Sequence, residues 1–383
     1  MANTLSNLIP DIHAARDVVS RELIGFIPSV NVDADVARVA IGQDLYIPVT
    51  QEQSAADNTP GVTPPDTGDQ TIDAVKVEVT KSKHVPIRWN GEQTRGYMMN
   101  GTRRSTMADQ MAQAMRVLTN LMEADLAATY VAGSRAYGTA GTTPFASTLA
   151  DASNMKKILD DNGAPMMDRS LVINSTAGVN LRNLTNLNQA NAAGTDMTLR
   201  QGVLLPLFGM NVRESAEIDT HTAGTGASAT TDNAGYAVGE TVITLASAGT
   251  GTILAGDVIT FLGDSNKYVV VSGDADVSGG GTITIAEPGL QKAIAPSTTA
   301  ITVTSDYTAN MAFSRNAIIL ANRLPYMPEG GDLAEDVYTV SDPMTGITFE
   351  VALYKQFRQN VIHVSAAWGT KLIKPEHTAL LLG

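Results

Sequence analysis

The chain has 383 residues, 43% of them hydrophobic, no cysteine, and a formal net charge of −13. That length can fill two or three cores, while the absence of thiols excludes disulfides, thiolate nucleophiles and zinc–thiolate sites and argues against a secreted disulfide scaffold. The acidic balance argues against a general basic surface for nucleic acid, whose affinity comes from neutralising phosphates, but is compatible with enclosing DNA without adhering to it. No run of about 18 apolar residues predicts a transmembrane helix. The start, Met-Ala-Asn-Thr-Leu-Ser-Asn, lacks the basic and apolar regions of a secretory signal.

After Pro10, the residues Ile12, Ala15, Val19 and Leu23 share one helical face, with Gly25 and Pro28 as a stop. Ser29 to Gly42 shows no clear period. Leu45, Ile47 and Val49 then alternate with Tyr46, Pro48 and Thr50, which predicts a strand, and Pro48 favours a sheet edge. Residues 51–71 hold Pro60, Gly61, Pro64, Pro65 and Gly68 and almost nothing apolar. Val75, Val77 and Val79 follow, alternating with Lys76, Glu78 and Thr80. Two strands joined by such a loop predict a long hairpin projecting from the body. Loops of this length are functional or disordered, and a disordered surface loop is the competing reading.

Ser105 to Gly133 is the longest helical signal. Met107, Met111, Met115, Leu118, Met122, Leu126 and Tyr130 recur at steps of three and four, and alanines between them allow close packing. Ser105 can cap the start, and Gly133 can end the helix in a left-handed conformation. Roughly 28 residues give a rod of about 40 Å, longer than a usual globular helix. It suits a strut on which a sheet packs, although a long core helix of an enzyme has the same pattern.

Helices at Ser153–Asp161 and Ala177–Asn186 and strands at Leu171–Ile173 and Asn211–Arg213 then predict an α/β segment. At Glu217 the composition changes. Residues 217–306 are rich in Gly, Thr, Ala and Ser and carry ten carboxylates against Lys267 and Lys292. Short β-branched runs at Thr241–Leu245, Asp257–Phe261, Tyr268–Val271, Thr282–Ile285 and Ala300–Thr304 predict a small antiparallel barrel or sandwich inserted into the α/β segment. The α/β pattern resumes with a buried strand at Ala317–Leu320. Strands follow at Val337–Ser341, Thr348–Tyr354, Val361–Ala367 and Lys371–Lys374, with a turn at Asp342–Gly346.

No catalytic constellation is visible. The five histidines, His13, His84, His221, His363 and His377, fall on different elements without metal spacing. Neither a nucleophile elbow nor a Walker loop occurs. Gly249-Thr250-Gly251 and Gly279-Gly280-Gly281 lie between strands and read as tight turns. Asp274-Ala275-Asp276 lacks the further oxygen ligands calcium needs. Trp89 and Trp368 read as core residues. No catalytic residue, cofactor or metal is assigned.

The order of these elements, together with local sequence, resembles the major capsid proteins of tailed double-stranded-DNA bacteriophages, and in particular the coat group with an inserted β-domain. The carriers are Leu254-Ala-Gly-Asp-Val-Ile-Thr-Phe261, Tyr268–Val271 and Thr282–Ile285 for the insert. Asn310-Met-Ala-Phe-Ser-Arg-Asn-Ala317 and Arg323-Leu-Pro325 mark the return from it. Tyr338–Gly346, Trp368-Gly-Thr-Lys371 and Lys374-Pro-Glu376 mark the C-terminal segment.

The resemblance implies an α+β chain with an N-terminal arm (1–44), an extended hairpin loop (45–98), a spine helix of a peripheral domain (99–140), an apical domain in two parts (141–216 and 309–334), an inserted β-domain (217–308) and a peripheral C-terminal β-segment (335–383). It implies self-association into the hexamers and pentamers of an icosahedral phage head, with Asp57, Asn58, Thr59, Asp66 and Asp69 of the hairpin loop contacting a neighbour. Met111, Met115, Leu118 and Met122 would form the core face of the spine. The implied partners are a separate scaffolding protein, a portal protein, DNA enclosed without sequence-specific binding, and decoration proteins, which the sequence neither requires nor excludes; no membrane is implied. The implied location is the virion, after assembly in the host bacterial cytoplasm. One member of the wider family cross-links its hairpin loop through a lysine. Residues 51–71 contain none, so that chemistry is not carried over. The competing reading from another class is a virion tail or surface adhesion protein with an Ig-like binding module at 217–306. An enzyme with a β lid is a third.

Overall fold

A computed structural model describes residues 23–49, 55, 57, 58, 60, 73–99, 103–189, 197–342 and 345–383. The helix expected after Pro10, with Ile12, Ala15 and Val19, lies outside the described residues, as do Thr59, Asp66 and Asp69.

In chain order the first half holds β1 (Asn31–Val39), β2 (Asp44–Val49), β3 (Asp73–Glu78), β4 (Lys81–Asn90), α1 (Gly91–Met99), α2 (Arg103–Ala127), β5 (Arg135–Gly138), α3 (Ala150–Asp161), β6 (Arg169–Ile173), α4 (Ser175–Asn183) and β7 (Met210–Glu214). The 217–306 segment contributes β8 (Thr220–His221), β9 (Val242–Leu245), β10 (Val258–Phe261), β11 (Lys267–Ser272), β12 (Gly281–Ile285) and β13 (Ile301–Val303). The chain closes with β14 (Tyr307–Ser314), β15 (Ile318–Pro325), β16 (Asp336–Ser341), β17 (Thr348–Gln356), β18 (Gln359–Leu372) and β19 (Thr378–Leu382).

These strands build two large sheets. One is six-stranded, ordered β1-β15-β18-β17-β16, with β4 paired to β18. Strand alternation turns Val85 and Ile87 of β4 and Ile362, Val364, Ala366 and Trp368 of β18 to one face. There α2 lays down Met111, Met115, Leu118, Met122 and Leu126, each fully buried. The α-helix stops at Ala127 and continues as a 3-10 helix, Ala128–Ala132. Gly133 follows in extended conformation, with φ −67° and ψ 152° rather than the expected left-handed cap, because the chain runs straight on into β5.

The second sheet is eleven-stranded, and its main path is β13-β10-β11-β5-β19-β14-β6-β7. Parallel pairing of β6 with β7 and of β5 with β19 gives it an α/β character at one end. Met155 and Leu159 of α3 and Ala177 and Leu181 of α4 pack there with Leu171, Met210 and Leu381. Antiparallel β9 to β13 form the other end around a separate core of Ile243, Ile259, Phe261, Tyr268, Ile283 and Leu290. The final strand β19 joins this second sheet, although its neighbours in sequence, β16 to β18, belong to the first. The expected strands at Val361–Ala367 and Lys371–Lys374 are one, β18, because Gly369 carries the pairing through where β3 crosses it. A Cβ on Gly369 would lie 2.0 Å from the Glu78 carbonyl oxygen.

Among the described residues no helix is long and apolar enough to cross a membrane.

Candidate assembly interface

The β2–β3 hairpin forms a two-stranded sheet of its own, in register from Asp44 opposite Glu78 to Val49 opposite Asp73. A lone two-stranded ribbon is marginal in water, so its base must be anchored. Leu45 packs with Val39, Val79 and Ala367, and the Lys371 ammonium donates to the Lys76 carbonyl at 2.7 Å. Lys76 also pairs with Asp44 at 2.8 Å, and that carboxylate raises its pKa. Beyond the base Tyr46 is 67% exposed, and Asp57 and Asn58 are exposed. Exposed strand edges are sites for pairing with other chains.

The sheet beside the hairpin is hydrogen-bonded to the long helix. The Trp368 indole donates to Asp125 at 2.7 Å, and Lys81 reaches the other oxygen of that carboxylate at 2.5 Å. The Trp89 indole donates to Gln110 at 2.8 Å. Both tryptophans therefore pin α2 to the sheet as well as filling its core. Glu123 of α2, 1% exposed, accepts from the backbone amides of Gly25, Phe26 and Ile27 at 2.7, 2.8 and 3.0 Å and from the Ser215 hydroxyl at 2.8 Å. Burial pushes its carboxyl above the ordinary range, and the four donors pull against that. One side chain thus ties the segment before β1 and the segment after β7 to the long helix. A glutamate on a helix reads as solvated in sequence, and no local signal betrays this role.

The 217–306 segment is fixed to the end of the helix by a second node. The Tyr130 hydroxyl lies 2.8 Å from His221 Nδ1, and His221 Nε2 lies 2.9 Å from Asp257 Oδ1. Asp257, fully buried, also accepts from the amides of Gly224 and Leu254. Tyr307 packs edge-on to Tyr130 and donates to the Gly256 carbonyl at 2.6 Å. Burial raises the pKa of both tyrosine hydroxyls. A Tyr–His–Asp relay suggests catalysis by residue type alone. Here every oxygen and nitrogen of the relay is engaged in joining two chain segments.

The histidines scattered in sequence are partly gathered. His84 of β4 and His363 of β18 stack with ring centroids 4.6 Å apart, and Tyr354 lies 4.9 Å from His363. Among the described residues no group of three or more His, Cys, Asp or Glu side chains could hold a metal.

No family model and no curated protein matches the chain. Solved structures do. The capsid of the cyanophage P-SCSP1u matches with a TM-score of 0.50 and 12% identity over 94% of this chain and 88% of that one. A chain of Mycobacterium phage Che8 matches with a TM-score of 0.47 and 12% identity over 89% and 84%. The virus-like particle from Pyrococcus furiosus matches with a TM-score of 0.46 and 9% identity over 98% and 99%. At this level of identity, the cyanophage match establishes a shared architecture along most of both chains: the protein has the fold of a phage capsid chain.

Proposed function

We propose that the protein is the major capsid protein of a tailed double-stranded-DNA phage, a structural subunit that assembles as hexamers and pentamers of an icosahedral shell and carries no enzymatic role. The observation that carries this is the capsid fold shared with the cyanophage chain over 94% of the sequence. The six-stranded sheet with α2 serves as the peripheral domain and α2 as its spine. The α/β end of the second sheet serves as the apical domain and residues 217–308 as its inserted domain. The β2–β3 hairpin, with Asp57, Asn58, Thr59, Asp66 and Asp69 in its loop, reaches a neighbouring copy. The anchored base and exposed outer side of the hairpin fit that role. The reading extends to a separate scaffolding protein, a portal protein and a virion location after assembly in the bacterial cytoplasm, and it is compatible with decoration proteins without requiring them.

Electron microscopy of the purified protein, with and without co-expressed scaffolding protein, tests it. Uniform closed shells are expected. Monodisperse monomers under both conditions would overturn the reading and favour a tail or surface adhesion protein.

A further inference from the structure

Where the 217–306 segment joins the rest of the second sheet, a cleft of about 390 Å³ opens. Its floor is the end of three paired strands, with Lys267 of β11, Ala136 and Gly138 of β5, and Leu381 and Leu382 of β19. The loop 139–148 and Asp151, in the first turn of α3, form the facing wall. Small-molecule sites commonly measure about 300 to 1,000 Å³.

The loop is held in shape from behind. Phe145 is fully buried, packs with Met155 and Leu159, and sits at φ 61°. A bulky residue in the left-handed region is a backbone outlier, and such strain clusters where a loop clamps a ligand. The Phe145 amide donates to Asp151 Oδ2 at 2.7 Å. Gly138, at φ 101°, begins the loop where a Cβ would lie 2.8 Å from the Leu382 carbonyl oxygen.

The walls combine three kinds of polar group. Thr139, Thr142, Thr143, Ser147 and Ser265 line the cleft, and their hydroxyls bond to no described residue. Each keeps a donor and an acceptor free. Lys267 gives one ammonium hydrogen to the Gly138 carbonyl and pairs with no carboxylate among the described residues. Asp151 commits one oxygen to the Phe145 amide, and no described residue donates to the other. An anionic ligand would meet the Asp151 carboxylate, and a cationic one would meet the Lys267 ammonium. A neutral polyhydroxylated molecule suits both, because each of its hydroxyls can donate or accept. Tyr137, half-buried, and Ala146, exposed, add apolar surface for the C–H face of a sugar ring.

We propose that this cleft binds a small carbohydrate, with Lys267 as fixed donor, Asp151 as fixed acceptor and the threonine and serine hydroxyls around them. This binding function is separate from shell assembly and does not depend on the capsid reading.

Saturation-transfer NMR of the full-length protein with glucose, galactose, mannose, maltose and cellobiose tests it, followed by titration of each sugar that responds. At least one sugar should receive saturation. Lys267→Met keeps the aliphatic stem, and Asp151→Asn keeps an oxygen for the Phe145 amide. Each should raise the Kd of that sugar about tenfold, the loss of one hydrogen bond to a charged group. Thr142→Val/Ser265→Ala removes two exposed hydroxyls that bond to nothing in the folded chain. It should melt like wild type and still bind more weakly, which separates binding from folding. Absence of transfer to every sugar, or equal affinity in all three variants, would overturn the proposal and leave an ordinary hydrated cleft. Binding of inorganic phosphate that Lys267→Met abolishes, with no sugar bound, would also overturn it and make the cleft an anion site.

Discussion

At the scale of single residues, the apolar stripe of α2 is the part of the central core most directly open to test. Leu118 is fully buried between α2 and the six-stranded sheet. Leu118→Asp would place an unpaired carboxylate there, at a cost of several kcal/mol, against a total domain stability of about 5 to 15 kcal/mol. That variant is expected to aggregate on expression, whereas Gln113→Ala on the exposed side of the helix should melt within about 0.5 kcal/mol of wild type. A soluble, cooperatively melting Leu118→Asp protein would show that the stripe is not core. His363 supports a prediction about pH. Burial, then the neighbouring His84, lowers its pKa below the ordinary 6.5. A histidine depressed in the folded state contributes stability that is present above the unfolded value and lost as pH falls through the folded one. Unfolding free energy should therefore decline as pH drops below about 6.5, and His363→Gln should flatten that part of the profile in chemical denaturation. An identical slope in both proteins would remove His363 as the cause. None of these polar roles was legible in the sequence. Glu123 and the Gly25–Ile27 amides, or Trp368 and Asp125, meet only once the chain has folded.

At the scale of elements, what could be read was what has a period of its own. The long helix was legible because Met111, Met115, Leu118 and Met122 repeat at its pitch whatever they pack on. The strands β9 to β13 were legible because β-branched runs stand between turn residues. Strand β1 was not: most of its residues are exposed, and it exists through parallel pairing with β15. In β4 the alternation of Val85, Ile87 and Trp89 was masked by interleaved charged and imidazole residues and by Pro86. Among elements, the hairpin carries the clearest expectation for assembly. Its base is held by Leu45, Val79 and Ala367, so removing Asp57–Gly68 cuts none of the contacts described at the base. The deletion variant should melt like wild type and yield fewer or less stable shells by sedimentation and microscopy. Normal shell yield and stability would exclude the loop from the intersubunit contact.

At the scale of the whole molecule, the 217–306 segment has a core of its own, yet it shares a sheet with the rest. Ile243, Ile259, Phe261, Ile283 and Leu290 pack within the segment, which is the condition for independent folding. Against that, β11 pairs with β5 through Lys267 opposite Ala136 and Tyr268 opposite Arg135. Val258 and Val269, both fully buried, face the central core rather than the segment's own. His221, held on its other ring nitrogen by Asp257, bonds Tyr130 outside the segment. Excision therefore exposes two valines, at a cost of about 1.5 to 3 kcal/mol each when fully buried, and leaves the core of the segment intact. Expressed alone, residues 217–306 should give a strand-type circular dichroism spectrum and a cooperative melt at a lower temperature than the whole chain. Val258→Thr/Val269→Thr, which makes the newly bared face polar, should improve the solubility of the fragment without abolishing the melt. A disordered spectrum in both fragments would mean that the segment folds only on the edge that β5 provides, making the eleven-stranded sheet one cooperative unit.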